Sequence, residues 1–584
     1  MAGKLAGLGL LLTTWAVLSP EPTTQSVTGV VLDSDRTPVP AALVTATVAG
    51  GTRSLVLSDA QGRYVLQDVP VGQAIIEASK HGYVPGRHGQ RSPRGPAVPL
   101  EIRDGTRLTG VNVPLWKYAV IAGRVADADG EPLPAVTVEA LRRDRSDQGD
   151  ALVSGGAVVT DDRGVFRLST LVAGTYLLAV RPSPTRNRAP HFVYPGRLYP
   201  NAMTTSLAMP LEVKSGQEIT DIDFRLSAES TSPIHGQIKD VDGAGRELDV
   251  YLFAVAADAL ARGLWLGRTR SGADGRFSFG AVHAGAYVVR ATLNPQPEYL
   301  PGHAIVTQMN RGEWATLQLG VGTKPLMPSA RAPGFYAEAE VTLDGREPVH
   351  VMMTLKPSAR IRGRVVFAGA QPPAEELLRT AVLVQALDGR VLGSMTAARL
   401  ESDSTFQTAA VPPGQYGLNW IGLSGWALRT VEISGRDVTD NGLEHSSTDL
   451  DRVVITLTSR APEISGFVRD EKGMPAAGGS VLLFPADRLK WRSRVPAVRR
   501  FKELRTGSDG AFHGSALLEG DYFVVAPRDE VPDYWQTPEI LERLVLSATR
   551  VRLTDGGRIV QDLRLSDLRV RAQYSSTATP GTRR

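Results

Sequence analysis

One short stretch returns five times along the chain, and no other feature constrains the fold so tightly. It is seen plainly in Thr160-Asp161-Asp162-Arg163-Gly164-Val165-Phe166-Arg167-Leu168, which continues to Gly174-Thr175-Tyr176. An aromatic residue and a later glycine stand eight apart in Tyr64/Gly72, Phe166/Gly174, Phe277/Gly285, Phe406/Gly414 and Phe512/Gly520. Two residues before each aromatic comes Gly62, Gly164, Gly275, Ser404 or Gly510, and two after each later glycine comes Ala74, Tyr176, Tyr287, Tyr416 or Tyr522. Five returns at one interval mark a chain built by repetition. At 584 residues the length also asks for several separate cores, because single cores seldom grow past roughly 250 residues.

Each repeat opens on a short alternating segment that holds a glycine: Gly29-Val30-Val31, Gly123-Arg124-Val125, Gly236-Gln237-Ile238, Gly363-Arg364-Val365 and Gly466-Phe467-Val468. A turn rich in Asp, Gly and Pro follows, as in Asp127-Ala128-Asp129-Gly130-Glu131-Pro132, where such residues supply a positive or fixed φ at a reversal. In the organising stretch Phe166 and Leu168 point one way, Gly174 reverses the chain, and Tyr176, Leu178 and Val180 again share a side. Period two with one apolar side reads as strand, not helix. Closing strands carry inward Val111, Val113, Leu115; Ile222, Phe224, Leu226; Val351, Met353, Leu355; Val453, Ile455, Leu457; and Gln561, Leu563, Leu565. A few short helices are expected, for instance at Glu375 to Arg379 and Pro538 to Leu546. Repeats two and three carry insertions, including Pro195 to Pro210 and Pro295 to Pro333. The short links between closing and opening strands favour a semi-rigid string of domains.

The set Gly-x-Val-x-Asp, Gly-x-Pro, Asp-x-x-Gly-x-Phe and Leu-x-x-Gly-x-Tyr resembles the carboxypeptidase regulatory-like domain. That family is a transthyretin-like or prealbumin-like sandwich, grouped with carbohydrate-binding-like folds and close to the Cna-B type. The resemblance implies an all-β chain: a tandem array of five transthyretin-like antiparallel β-sandwich domains at 29–117, 118–229, 230–357, 358–460 and 461–572. Segment 1–26, with Lys4 ahead of an apolar run from Leu5 to Leu18, reads as an export signal, and 573–584 as a disordered tail. An exported, periplasmic or extracellular chain without a membrane span after signal removal is expected. Its cysteine count of zero excludes disulfides and thiolate chemistry.

In the peptidases that lend the domain its name, zinc chemistry uses His-x-x-Glu, and none of the nine histidines, His81, His88, His191, His235, His283, His303, His350, His445 and His513, has Glu three positions on. No nucleophile elbow or phosphate loop is present. Cna-B relatives cross-link a lysine to an asparagine, but Lys239 and Asn112 lie in different repeats. Alternating carboxylates at Asp127/Asp129 and Asp240/Asp242 have a fragment of a calcium loop's spacing but suit hairpin turns better. The reading is therefore non-enzymatic, with no catalytic residue, no metal site and no cofactor. Net charge is only +4, so no nucleic-acid partner is expected.

Two surface features remain. The segment Arg488 to Arg505 interleaves basic and aromatic residues, and Trp491, Arg492, Arg494, Arg499 and Arg500, with Tyr534 and Trp535, form a candidate ligand or anion-binding set. Loop aromatics Tyr194, Tyr199, Trp314, Tyr534 and Trp535 also suit stacking on sugar rings. The functional expectation is a scaffold or adhesion/binding protein of the cell envelope, meeting an envelope protein or polysaccharide. Carbohydrate binding and an accessory role to a peptidase are the alternatives. The oligomeric state is not legible.

Overall fold

A computed structural model describes residues 25–566 except 49–52, 96, 147–148, 183–191, 257–266, 294–296, 300–304, 311–312, 319–325, 329–332, 379, 388–395, 422, 424, 493–499, 508, 529–530 and 532–534. The expected export signal falls outside these residues but for its last two positions, and the expected tail falls outside them entirely. Among the described residues nearly all regular structure is strand, and the α-helices are Ala374–Leu378 and Pro538–Val545, close to where the sequence suggests short helices. No described helix is long and apolar enough to cross a membrane.

The chain divides into two units, Met1–Lys117 and Tyr118–Arg584. In the first, one sheet has the order Arg63–Gln67, Ser26–Asp33, Val113–Lys117, Tyr83–Val84; the other runs Arg53–Leu57, Leu43–Val48, Gly72–Ser79, Gly86–Arg87. Val27, Val31, Val44, Tyr64, Ile76, Val113 and Leu115 fill the space between them. Alternation explains this core: in Arg63–Gln67 only Tyr64 and Leu66 are buried.

The same plan recurs in the second unit. Each opening strand pairs antiparallel with the strand of the first aromatic, as in Gly123↔Phe166, Gly236↔Phe277, Gly363↔Phe406 and Gly466↔Phe512. It pairs in parallel with the closing strand, through Val31↔Val113, Val125↔Phe224, Gly236↔Val351, Gly363↔Val453 and Val468↔Leu563. The sheets are thus mostly antiparallel, with parallel pairing where the opening strand meets the end of its repeat, because first and last strands run the same way and the rest of the repeat is their crossover. The fifth repeat departs further. Leu563–Ser566 pairs with both Glu463–Arg469 and Gly520–Pro527, which joins its strands into one eight-stranded sheet.

Within the second unit neighbouring repeats share cores, a closer junction than a semi-rigid string of separate domains implies. Leu141, Leu152, Ala179 and Leu198 of repeat two pack in one cluster with Ile234, Val250, Phe277 and Val289 of repeat three. Phe192–Val193 even adds to the sheet of the next opening strand, as Phe192↔Ser230. Arg290, only 2% exposed, bonds Glu338 at 2.6 Å and reaches the Pro413 carbonyl of repeat four at 3.2 Å. Leu518 of repeat five sits in the core of repeat four.

Candidate functional site

The segment that the sequence singles out begins on a strand with two apolar faces. Ser480–Pro485 is buried at every position. Val481 and Leu483 enter the inner core with Tyr522 and Val524, while Leu482 and Phe484 face the other way with Val525. A strand covered on both sides reads as a continuous apolar run, which is what Val481-Leu482-Leu483-Phe484 is. Its outer cover consists of the 3₁₀ turn Arg488–Arg492 and the helix Pro538–Val545, which buries Ile540, Leu541 and Leu544.

Trp491 and Trp535 belong to that cover. Each is buried, 7% and 4% exposed, and both meet Phe484 edge-on at centroid distances of 6.1 and 6.3 Å. Phe501 packs on Trp535 at 5.8 Å, and the Trp491 indole N–H donates to the Pro485 carbonyl at 2.8 Å. The structure thus brings the two tryptophans together, but inside the protein and not as an exposed stacking platform. Covering the outer sheet face removes far more apolar surface from water than two exposed rings would offer a ligand.

The described cations of the segment are engaged by the protein itself. Arg500 Nε donates to Asp440 at 2.6 Å, and its Nη1 donates to the Glu519 carbonyl at 2.8 Å and to the Tyr522 hydroxyl at 3.2 Å. Lys490 stands 3.2 Å from the other Asp440 oxygen, so two cations of repeat five converge on one carboxylate of repeat four. Burial by itself would raise Asp440; Arg500 and Lys490 outweigh it and hold the carboxyl below its ordinary range. Burial pushes the Tyr522 hydroxyl up to about 12. Arg488 makes two bonds to Glu542, at 2.7 and 3.0 Å, and lies over the Trp491 ring at 5.4 Å. The Arg492 side chain, Arg494, Arg499 and Tyr534 lie outside what the structure describes, as does the Trp314 side chain.

The remaining singled-out residues also hold the fold. Tyr199 packs edge-on against Phe224 at 5.4 Å. Asp127 Oδ1 accepts the amides of Asp129 and Glu131 at 3.0 and 2.9 Å, the geometry of a hairpin turn. No group of three His, Cys, Asp or Glu able to hold a metal is found among the described residues. Asn112 accepts the Val30 amide at 3.0 Å, Asp223 that of Arg124 at 3.1 Å and Asp562 that of Phe467 at 2.9 Å. This clamp between closing and opening strands escapes a sequence reading because its side chains vary between Asn and Asp and precede the apolar positions.

Comparison with known proteins places the first two repeats. The family model of the carboxypeptidase regulatory-like domain matches residues 26–109 and 120–196, so these two repeats carry that domain. No curated protein matches the chain. Among solved structures, the Bacillus anthracis TIE protein is 11% identical over 75% of this chain and 75% of its own, with a TM-score of 0.17. A streptococcal ancillary pilin is 12% identical over 57% of this chain and 100% of its own, at 0.18. The minor pilin of Streptococcus agalactiae is 11% identical over 35% and 95%, at 0.20. TM-scores this low support no inference for this chain.

Proposed function

We propose that this chain, whose first two repeats carry the carboxypeptidase regulatory-like domain, is a secreted, non-catalytic scaffold or adhesion/binding protein of the cell envelope. The observation that carries the reading is the use of the recurring residues. Tyr176, Tyr287 and Tyr416 each donate a hydroxyl to the carbonyl four residues earlier, that of Val172, His283 and Pro412, at 2.7, 3.0 and 2.7 Å. Their glycine and aromatic companions form turns and cores. What repeats in this chain is scaffold, and variation between repeats falls in the loops, where a binding protein presents its contacts. Division into sandwiches at 29–117, 118–229, 230–357, 358–460 and 461–572 belongs to the same proposal, as does export under the segment 1–26.

The test is retention. The mature chain, immobilised and challenged with envelope extract and separately with a glycan array, should hold an envelope protein saturably and leave the array unlabelled. Saturable array binding would replace the reading with polysaccharide recognition; turnover of a peptide or ester substrate would overturn it.

A further inference from the structure

We infer that repeat three carries a binding site for monovalent copper, made by His235, His350 and Met352. The two histidines are far apart in sequence, and the topology makes them neighbours. His235 lies on the opening strand Glu229–Lys239 and His350 on the closing strand Val349–Thr354, which pair in parallel with His235 directly opposite His350. Their rings stand 5.6 Å apart between centroids, at an interplanar angle of 33°. Both are exposed. Among the described residues neither makes a hydrogen bond or an ion pair, so both present free ring nitrogens.

The separation fits chelation. Two imidazoles bound at roughly 2.0–2.1 Å from one metal ion have their centroids about 5 Å apart, so a small side-chain rotation closes the bite. Met352 selects the metal. It follows His350 by two positions on the same strand, hence on the same face, and is 65% exposed although flanked by core residues Val351 and Met353. A thioether beside two imidazoles is a soft donor set, which suits monovalent copper above zinc, calcium or magnesium. All three residues line one groove of about 630 Å³.

The charges around the groove permit a small cation. Arg270 and Arg276 also line it, but Arg270 Nε bonds Glu247 at 2.8 Å and Arg276 Nε stands 3.6 Å from Asp274. Each guanidinium has its own carboxylate, and a singly charged ion meets less residual repulsion than a divalent one. Bound copper would tie the first strand of the repeat to its last.

The full chain, titrated with Cu⁺ under anaerobic reducing conditions against a chromophoric competitor, should withdraw one equivalent. His235→Ala and His350→Ala should each weaken binding at least as much as the roughly 10-fold loss typical of a removed supporting group. Met352→Leu should weaken Cu⁺ binding and leave Zn²⁺ binding unchanged. All three positions are exposed, and equal melting temperatures without metal establish that the variants fold. Absence of a saturable equivalent, or wild-type affinity in both histidine variants, would overturn the site; unchanged Cu⁺ affinity in Met352→Leu would overturn the thioether's part in it.

Discussion

At single residues the fold is decided by backbone clearance and by buried rings. A Cβ built on Gly123 would lie 2.0 Å from the Ile222 carbonyl oxygen, and on Gly29, Gly363 and Gly466 within 2.0–2.1 Å of the corresponding closing-strand carbonyl. In these four repeats the opening glycine is therefore what lets the parallel pair close, and Gly123→Ala should lower the melting temperature of the second unit without altering that of the first. Phe166, 2% exposed and 6.4 Å from the Phe224 ring, anchors its core; Phe166→Ala should cost about 3–5 kcal/mol by denaturant unfolding of the segment that contains it. His445 adds a pH dependence. It is 2% exposed, its Nε2 lies 3.1 Å from the Ala359 carbonyl, and its Nδ1 is buried without a partner. Burial pushes its pKa down. The unfolded chain then takes up the proton first, so the contribution is intact above the ordinary value of about 6.5 and is lost as pH falls from there toward the lowered folded value. Thermal scans between neutral pH and pH 5 should show the second unit losing stability, and His445→Gln should flatten that slope.

At the scale of elements, legibility followed periodicity. Strands with one apolar face are readable from alternation, and the sequence offers short helices near both places where they form. The surface candidates were not readable, because a basic-aromatic run has the same composition whether it meets a ligand or covers a sheet. What separates the two cases is the continuous apolar strand Val481-Leu482-Leu483-Phe484, which needs an outer cover, supplied among the described residues by Trp491, Phe501, Trp535 and the helix Pro538–Val545. The His235/His350 pairing was equally hidden, since strand register and not spacing creates it. One element-scale prediction follows from the contact between repeats four and five. Arg500 and Asp440 have side chains only 11% and 23% exposed, so Asp440→Asn leaves Arg500 poorly paired and should weaken the contact by about 2–5 kcal/mol. Differential hydrogen exchange of Arg488–Arg492 and Lys502–Arg505 against wild type reads this directly.

For the whole molecule, repetition distributes stability among many small cores, each closed by its own first and last strands. The first unit ends at Lys117, and the second runs on through cores shared between neighbours. Calorimetry of the full chain should accordingly resolve at least two transitions, the smaller from residues up to 117. We propose that the five returns of one glycine-aromatic stretch mark five copies of one scaffold, each held by its opening strand. Native-state hydrogen exchange of the intact chain measures this most directly. The account predicts that Ser26–Asp33, Ala119–Asp127, Glu229–Lys239, Ile361–Ala368 and Glu463–Arg469 hold the slowest-exchanging amides of their own repeats; opening strands that exchange as fast as the connecting loops would contradict it.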